Sequence, residues 1–232
     1  MADFVVIGGG QAAASLVGKL RAEGFDGGIT LIGAEPVPPY QRPPLSKAYL
    51  LGEMERSRLF LRPEAWYGDH DVTLRTGTRA EGINTAARRV TLTDGKSLDY
   101  DALALCTGAW PRPLPARIGG DLPGVYTMRD IADADAMAPE FREGARALIV
   151  GGGYIGLEAA AVAAQKGLKV TLVEAADRIL QRVAAPVTSA YFRDLHGRHG
   201  VDIREGTGLE RLTGTERVTG AELSDGSRLE VD

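Results

Sequence analysis

The stretch that decides the fold is Val150-Gly151-Gly152-Gly153-Tyr154-Ile155-Gly156-Leu157-Glu158. It follows an apolar run, 146–150, that predicts a buried strand, and it leads into an alanine-rich run that predicts a helix. Its glycines form G-x-G-x-x-G, in which the first permits a tight turn, the second lets the backbone approach a pyrophosphate, and the third lets helix and strand pack closely. A further apolar run, 169–173, ends at Glu174, where a dinucleotide-binding fold hydrogen-bonds a ribose hydroxyl. This order of features predicts a dinucleotide-binding unit.

The same order of features occurs near the start of the sequence. A short apolar run, 3–7, precedes Gly8-Gly9-Gly10-Gln11-Ala12-Ala13, a G-x-G-x-x-A variant, and a helical pattern and a strand at 29–32 follow. Gly33 stands where the later unit has Glu174, and Glu35 comes two residues after it. We therefore expect another dinucleotide site here, with Glu35 as a differently presented ribose acid.

Each glycine unit is followed by short β runs that predict an antiparallel meander, with tight turns at Asp94-Gly95 and Asp225-Gly226. The sequence therefore predicts an α/β fold of two tandem Rossmann-like dinucleotide-binding domains, each with a β-meander. The proline-rich run 110–115 predicts the boundary between them, which gives domains at 1–111 and 112–232.

The segment 38–47 is rich in proline, and the prolines favour an extended backbone through Pro44. Ser46 is expected to cap a short helix that starts near Lys47. Farther along, Pro63 is expected to begin a helix of one or two turns.

Composition limits the classes of function. The formal net charge of −4 does not favour nucleic acid as a partner. Cys106 is the one cysteine in the sequence, so the chain has no dithiol pair, and a reducing, cytoplasmic location is expected. Glycines and Glu158 interrupt the apolar run 147–164, which therefore predicts a core strand and helix, not a membrane span. The histidines lack metal-ligand spacing, and no metal is expected.

Two dinucleotide units in tandem suggest a flavin and a nicotinamide brought face to face for hydride transfer. The most specific further motif is Arg42-Pro43-Pro44-Leu45-Ser46-Lys47, and Thr107-Gly108 follows the last strand of the first unit. With the paired glycine motifs, these residues resemble the two-dinucleotide flavoprotein reductases, most closely the NADH-dependent ferredoxin reductases of Rieske oxygenase and bacterial P450 systems. The resemblance covers all 232 residues.

The resemblance implies a role for each matching residue. On the FAD side, Glu35 would lie near the adenosine ribose, Ala80 would offer backbone contact to adenine, and the other contributors would be Gly8, Gly10, Ala12, Arg42, Lys47, Thr107, Gly108 and Arg129. On the NADH side, Glu174 would hold the adenosine ribose with Arg182 nearby, and the pyrophosphate and nicotinamide end would be surrounded by Gly151, Gly153, Tyr154, Ile155 and Gly156. Lys47 and Glu158 would pair close to flavin N5 as the catalytic residues.

The function implied is hydride transfer from NADH to FAD, followed by single electrons to a [2Fe–2S] ferredoxin. Glu174 is followed by Ala175-Ala176 without an adjacent arginine, which favours NADH over NADPH. A reductase of rubredoxin or another acceptor stays an alternative, as does a non-catalytic NAD-binding fragment. Members of the family continue beyond the segment matched here, so the FAD-binding domain is expected to be incomplete, the NAD-binding domain nearly complete and the C-terminal interface domain absent.

Overall fold

The computed structural model describes residues 2–232. Within that range the α-helices are α1 (Gln11–Ala22), α2 (Ala48–Leu51), α3 (Glu64–Asp69), α4 (Ile131–Met137), α5 (Tyr154–Gln165) and α6 (Pro186–Arg198). The strands of the first half are β1 (Phe4–Ile7), β2 (Ile29–Ile32), β3 (Val72–Arg75), β4 (Ala80–Asn84), β5 (Arg89–Leu92), β6 (Ser97–Asp99) and β7 (Ala102–Leu105). Those of the second half are β8 (Arg146–Val150), β9 (Lys169–Glu174), β10 (Asp202–Glu205), β11 (Leu209–Gly214), β12 (Val218–Leu223) and β13 (Arg228–Glu230).

The first compact unit comprises the residues up to Arg42 together with Glu55–Trp110. Its main sheet is parallel, with strand order β3-β2-β1-β7, and its meander is antiparallel, with order β4-β5-β6. Val6, Val17 and Leu31 are fully buried where α1 covers the main sheet. Burying an apolar side chain of this size contributes about 1.5–3 kcal/mol to the stability of the fold. This apolar layer therefore holds the glycine turn after β1 in place.

The second compact unit comprises Pro111–Asp232 together with Pro43–Met54. Its parallel sheet has the order β10-β9-β8, and its antiparallel meander has the order β11-β12-β13. Ala160, Ala163 and Leu172 are fully buried, because small residues let α5 lie close to the sheet. The two parallel sheets with their helices and meanders confirm the predicted Rossmann-like α/β fold.

The proline-rich segment differs from the extended chain predicted for it. Pro43–Ser46 forms a 3-10 turn, which two leading prolines can begin because the first turn of a helix does not need their missing N–H groups. The predicted cap is also wrong: Lys47 is the N-cap of α2, and within the described residues no side chain caps that helix. The expected domains, 1–111 and 112–232, are continuous stretches and remain a prediction, whereas 43–54 packs with the second unit.

The expected helix after Pro63 is present as α3, with Pro63 at its N-cap. In the described part of the chain, no helix is both long and apolar enough to cross a membrane.

Candidate functional site

The first glycine turn joins β1 to α1, and its first residue, Gly8, must be glycine for two reasons. Gly8 has a φ of +125°, and a Cβ built there would lie 2.1 Å from the carbonyl oxygen of Cys106. A side chain is therefore excluded by both backbone conformation and space. Gly8 also donates its N–H to the carbonyl of Ile32 at 2.8 Å, so the start of the turn is hydrogen-bonded to β2.

Gly10, the middle glycine of this turn, has no such reason within the protein. Its φ of −105° is open to any residue. A Cβ built on Gly10 would have no atom of residues 2–232 within 4 Å, other than atoms of its chain neighbours and of the helix's own backbone. Ala12 lies one residue inside α1 on its exposed face. The missing side chain of Gly10 thus leaves open space at the N-terminus of α1, which suits a pyrophosphate that needs to approach backbone N–H groups.

The second glycine turn joins β8 to α5 and repeats this division of roles. Gly151 has a φ of +108°, and a Cβ on Gly156 would lie 2.1 Å from the carbonyl oxygen of Gly151. Gly153 has an ordinary φ of −80°, and its added Cβ would meet no atom of the described chain within 4 Å. In this turn the protein itself therefore requires Gly151 and Gly156, and open space again lies at the middle glycine.

Glu174 ends β9 and holds the second turn directly. One carboxylate oxygen accepts the N–H of Gly152 at 2.7 Å, and the other accepts the N–H of Ala176 at 2.8 Å. A carboxylate oxygen can accept more than one hydrogen bond, so both oxygens keep capacity for ribose hydroxyls. The sequence indicated a ribose acid but not this second task of fixing the turn.

The loop after β9 closes on the same turn from the other side. Leu180 donates its N–H to the carbonyl of Gly152 at 2.9 Å and adopts a left-handed φ of +54°, which is uncommon for leucine. Arg178 fixes the loop by donating to the carbonyl of Ala184 at 2.9 Å and to the hydroxyl of Ser189 at 2.6 Å. Arg182, the arginine selected from the sequence, lies exposed in this loop.

Three side chains that follow β2 in the first unit, those of Glu35, Tyr40 and Arg42, form a cluster. Glu35 accepts hydrogen bonds from Arg42 and from the hydroxyl of Tyr40, both at 2.5 Å. The Arg42 guanidinium also lies 4.9 Å from the centre of the Tyr40 ring, and Tyr40 is buried. The structure therefore brings Glu35 and Arg42 together, and Tyr40 is a member of the cluster for which the sequence offered no signal.

The remaining first-unit residues lie around the ends of β7 and β4. Thr107 and Gly108 are exposed and follow β7 after Cys106; β7 runs parallel to β1 and therefore ends at the same sheet edge as the glycine turn. Ala80 begins β4 and pairs with Leu92. Beside it, the Arg79 guanidinium lies 4.7 Å from the centre of the exposed Trp110 ring.

Lys47 and Glu158 meet within the second unit, although 111 positions separate them in the sequence. The Lys47 ammonium lies 2.7 Å from Oε2 of Glu158, in the second turn of α5. In the first turn of the same helix, Tyr154 and Ile155 are 57% and 54% exposed, which leaves apolar surface beside the open space at Gly153. A cation, a carboxylate and apolar surface thus lie along one helix start.

Two further features of the second unit are Arg129 and a groove between α5 and α6. Arg129 precedes α4 and donates its backbone N–H to Asp133 at 2.7 Å. A groove of about 600 Å³ is lined by apolar residues of α5 and α6, with Tyr154 and Glu158 among its walls and His196 opposite. Burial lowers the pKa of His196, and the charge of His199 lowers it further. Among residues 2–232, no group of three or more His, Cys, Asp or Glu could hold a metal ion.

Comparison with known proteins agrees with this arrangement. The family profile described as pyridine nucleotide-disulphide oxidoreductase matches residues 2–232. Rhodocoxin reductase of Rhodococcus erythropolis is 45% identical over 206 residues, which cover 89% of this chain and 48% of that protein. Putidaredoxin reductase of Pseudomonas putida is 42% identical over 235 residues, covering 99% of this chain and 56% of that protein. The chain therefore spans about half the length of the curated relatives that it matches.

Among solved structures, the chain is similar to the covalent complex of putidaredoxin reductase with putidaredoxin. The TM-score is 0.96 at 39% sequence identity, and the alignment covers 100% of this chain and 57% of the solved chain.

Proposed function

The chain belongs to the pyridine nucleotide-disulphide oxidoreductase family, and we propose that the whole protein is an FAD-containing, NADH-dependent reductase of a [2Fe–2S] ferredoxin serving a P450 or Rieske oxygenase. The observation that carries the proposal is the pair of open glycine turns. At Gly10 and at Gly153, neither φ nor space within the described residues requires glycine. A ligand whose phosphates contact the backbone does require it. One chain with two such turns suits two dinucleotides.

The assignment of the turns to the two cofactors follows the acids that accompany them. Glu174 has unused acceptor capacity at a helix start and would hold the ribose of NADH, with Arg182 nearby. The cluster of Glu35, Tyr40 and Arg42 would lie at the ribose of FAD, where Arg42 offers a positive charge next to the acid. Ala80, Thr107, Gly108 and Arg129 complete the proposed FAD contacts.

When bound, FAD supplies a carrier that accepts a hydride and releases electrons singly. Lys47 would place a positive charge beside the flavin ring, where it stabilises the negative charge of the reduced form. Glu158 would hold the lysine by its 2.7 Å ion pair and form part of the nicotinamide pocket, together with Tyr154 and Ile155. None of these residues needs to act as a nucleophile.

The choice of acceptor is supported by two observations. The relatives named above are reductases of rhodocoxin and putidaredoxin. The chain itself has the single cysteine Cys106, which is partly buried, so its residues 1–232 contain no dithiol that could pass electrons to a disulfide. NADH is proposed over NADPH because alanines follow Glu174, and a cytoplasmic location is proposed because it fits sparse cysteine usage.

The test is the visible spectrum of the purified full-length protein under anaerobic conditions, before and after NADH. We expect a bound flavin whose absorbance bleaches with NADH and returns when a [2Fe–2S] ferredoxin is added. Rubredoxin, added in a parallel cuvette, should restore it much more slowly. A colourless protein, or a flavin that NADH does not reduce, would contradict the proposal. If rubredoxin reoxidised the flavin faster than the ferredoxin, rubredoxin would be assigned as the electron acceptor instead.

A further inference from the structure

Ser46 is a buried polar residue whose hydroxyl local structure does not use. It ends the 3-10 turn Pro43–Ser46, and only 4% of its surface is exposed. It lies one residue before Lys47, the N-cap of α2, and among the described residues no side chain caps that helix. The hydroxyl instead donates to Oε2 of Glu158 at 2.6 Å, across 112 positions of sequence.

One oxygen of the Glu158 carboxylate interacts with two adjacent residues, Ser46 and Lys47. Oε2 of Glu158 accepts the Ser46 hydroxyl at 2.6 Å and lies 2.7 Å from the Lys47 ammonium. Lys47 also donates to the carbonyl of Pro43 at 3.2 Å. The hydroxyl has one hydrogen and an ionised carboxylate only accepts, so that hydrogen is committed to Glu158.

Exposure shows why the pair needs this third member. The Lys47 and Glu158 side chains are 48% and 30% exposed. An ion pair exposed to this extent gains little, because water screens it and holding two long side chains in one geometry costs entropy. The Ser46 side chain is short and buried, so its hydrogen bond fixes the carboxylate at small entropic cost.

We propose that Ser46 is a positioning residue: its buried hydroxyl holds the Glu158 carboxylate where it pairs with Lys47, and thereby sets where the Lys47 ammonium lies relative to the flavin. The proposal rests on the proposed function for its consequence at the flavin. The positioning of Lys47 itself can be measured without any cofactor.

The first test measures the reactivity of Lys47 in the full chain without added nucleotide. Competitive acylation followed by mass spectrometry compares Lys47 with Lys19, Lys96, Lys166 and Lys169 as internal standards. Ser46→Ala should raise the labelling of Lys47 by about threefold or more, because its carboxylate partner is no longer held, and leave the other lysines unchanged. Unchanged labelling of Lys47 would overturn the proposal.

The second test asks whether Ser46 acts through Glu158 in the holoenzyme. Ser46→Ala should lower the two-electron midpoint potential of FAD by about 15–30 mV, a three- to tenfold weaker preference for the reduced form. In a Glu158→Gln background the same change should add much less, since the hydroxyl then has no carboxylate to hold. Equal shifts in both backgrounds would show a role independent of Glu158 and refute the proposal.

Controls separate positioning from general destabilisation and from failure of the proposed function. Ser224→Ala removes the hydrogen bond that Ser224 accepts from Gly208 in the second meander, and it should change neither Lys47 labelling nor the FAD potential. Ser46→Thr keeps the hydroxyl donor and should restore both readouts. If wild-type protein holds no NADH-reducible flavin, the proposed function fails, whereas the acylation result still decides the role of Ser46.

Discussion

Gly153 and Gly156 are the same residue type three positions apart, and the structure gives them opposite reasons. Gly156 faces the protein, since a Cβ there would lie 2.1 Å from the carbonyl oxygen of Gly151. Gly153 faces open space, with no atom of residues 2–232 beyond its chain neighbours and own helix backbone within 4 Å of an added Cβ. Gly156 is therefore required for folding, and the proposed function assigns Gly153 to a ligand.

Alanine at each position separates these reasons. Gly156→Ala should lower the free energy of unfolding by about 1–3 kcal/mol, because the clash is with backbone that cannot rotate away. Gly153→Ala should change it by less than about 1 kcal/mol but weaken NADH binding by about tenfold or more, because the methyl group occupies the pyrophosphate space. Urea unfolding and an NADH titration measure both variants. Wild-type NADH affinity in Gly153→Ala would contradict the assignment of this turn.

Glu174 fixes the second glycine turn with its carboxylate, and the proposed function gives the same carboxylate a ribose to bind. Glu174→Ala would leave the N–H groups of Gly152 and Ala176 without their acceptor, and each loss should cost about 1–3 kcal/mol of stability unless water replaces it. Glu174→Arg should in addition lower NADH affinity and raise affinity for NADPH, because a cation replaces the ribose acceptor. Titrations of both nucleotides check this outcome. NADH binding that is unaltered in Glu174→Arg would contradict the ribose assignment.

At the level of single residues, spacing predicted the positions of the glycines and acids but not their partners. The observed contacts of Leu180, Tyr40 and Ser46 could not be predicted from the sequence, because each depends on residues brought near by tertiary structure. Lys47 and Glu158 were paired from a resemblance, and the structure brings them to 2.7 Å. Their role at the flavin stays a prediction.

Among the elements, Glu140 joins the segment after α4 to the turn between β11 and β12. It accepts hydrogen bonds from Arg217 at 2.9 Å and from the Tyr126 hydroxyl at 3.0 Å, and Arg142 lies 3.5 Å away. The Arg217 hydrogen bond lowers the pKa of Glu140 below its usual range, with Tyr126 and the nearby charges adding to the effect against desolvation. This link stabilises the second unit only while Glu140 is ionised.

The stability of this link should therefore depend on pH in one direction. Because the pKa of Glu140 is lower in the folded chain than in the unfolded chain, the stabilisation is complete above the ordinary glutamate pKa and is lost as pH falls through the lower folded value. Thermal unfolding of wild type and Glu140→Gln should differ at neutral pH and converge in acid. Arg217→Gln should reproduce the loss, and a difference that persists unchanged into strong acid would contradict the link.

The elements themselves were largely predictable, since apolar runs, helical patterns, and glycine and Asp-Gly turns predicted β1, β2, β8, β9, α1, α5 and both meanders. The failure at Pro43–Ser46 has a physical cause. Prolines disfavour a helix interior, but a short 3-10 turn has no interior, and local rules could not indicate that α4 and α5 would pack against it.

At the scale of the whole molecule, the chain forms two units, and one segment from within the sequence of the first unit belongs to the second. Residues 43–54 lie between stretches of the first unit but pack with the second, where the 3-10 turn contacts α4 and α5, and α2 contacts α4. Leu45 and Leu50 are each only 2% exposed there. A boundary derived from the proline-rich run 110–115 could not indicate that 43–54 packs with the second unit, because composition indicates linkers and not packing partners.

The packing of 43–54 with the second unit predicts which amides respond to NADH in the flavin-free chain. NADH at one hundred times its dissociation constant should stabilise the unit that binds it by about 2.7 kcal/mol. If 43–54 belongs to that unit, its amides should gain protection from hydrogen exchange together with those of α5, whereas β2 and β3, which flank it in sequence, should gain much less. Mass spectrometry of peptic peptides measures all of these segments in one experiment. Protection of 43–54 that follows β2 and β3 instead would assign the segment, and with it Ser46 and Lys47, to the first unit.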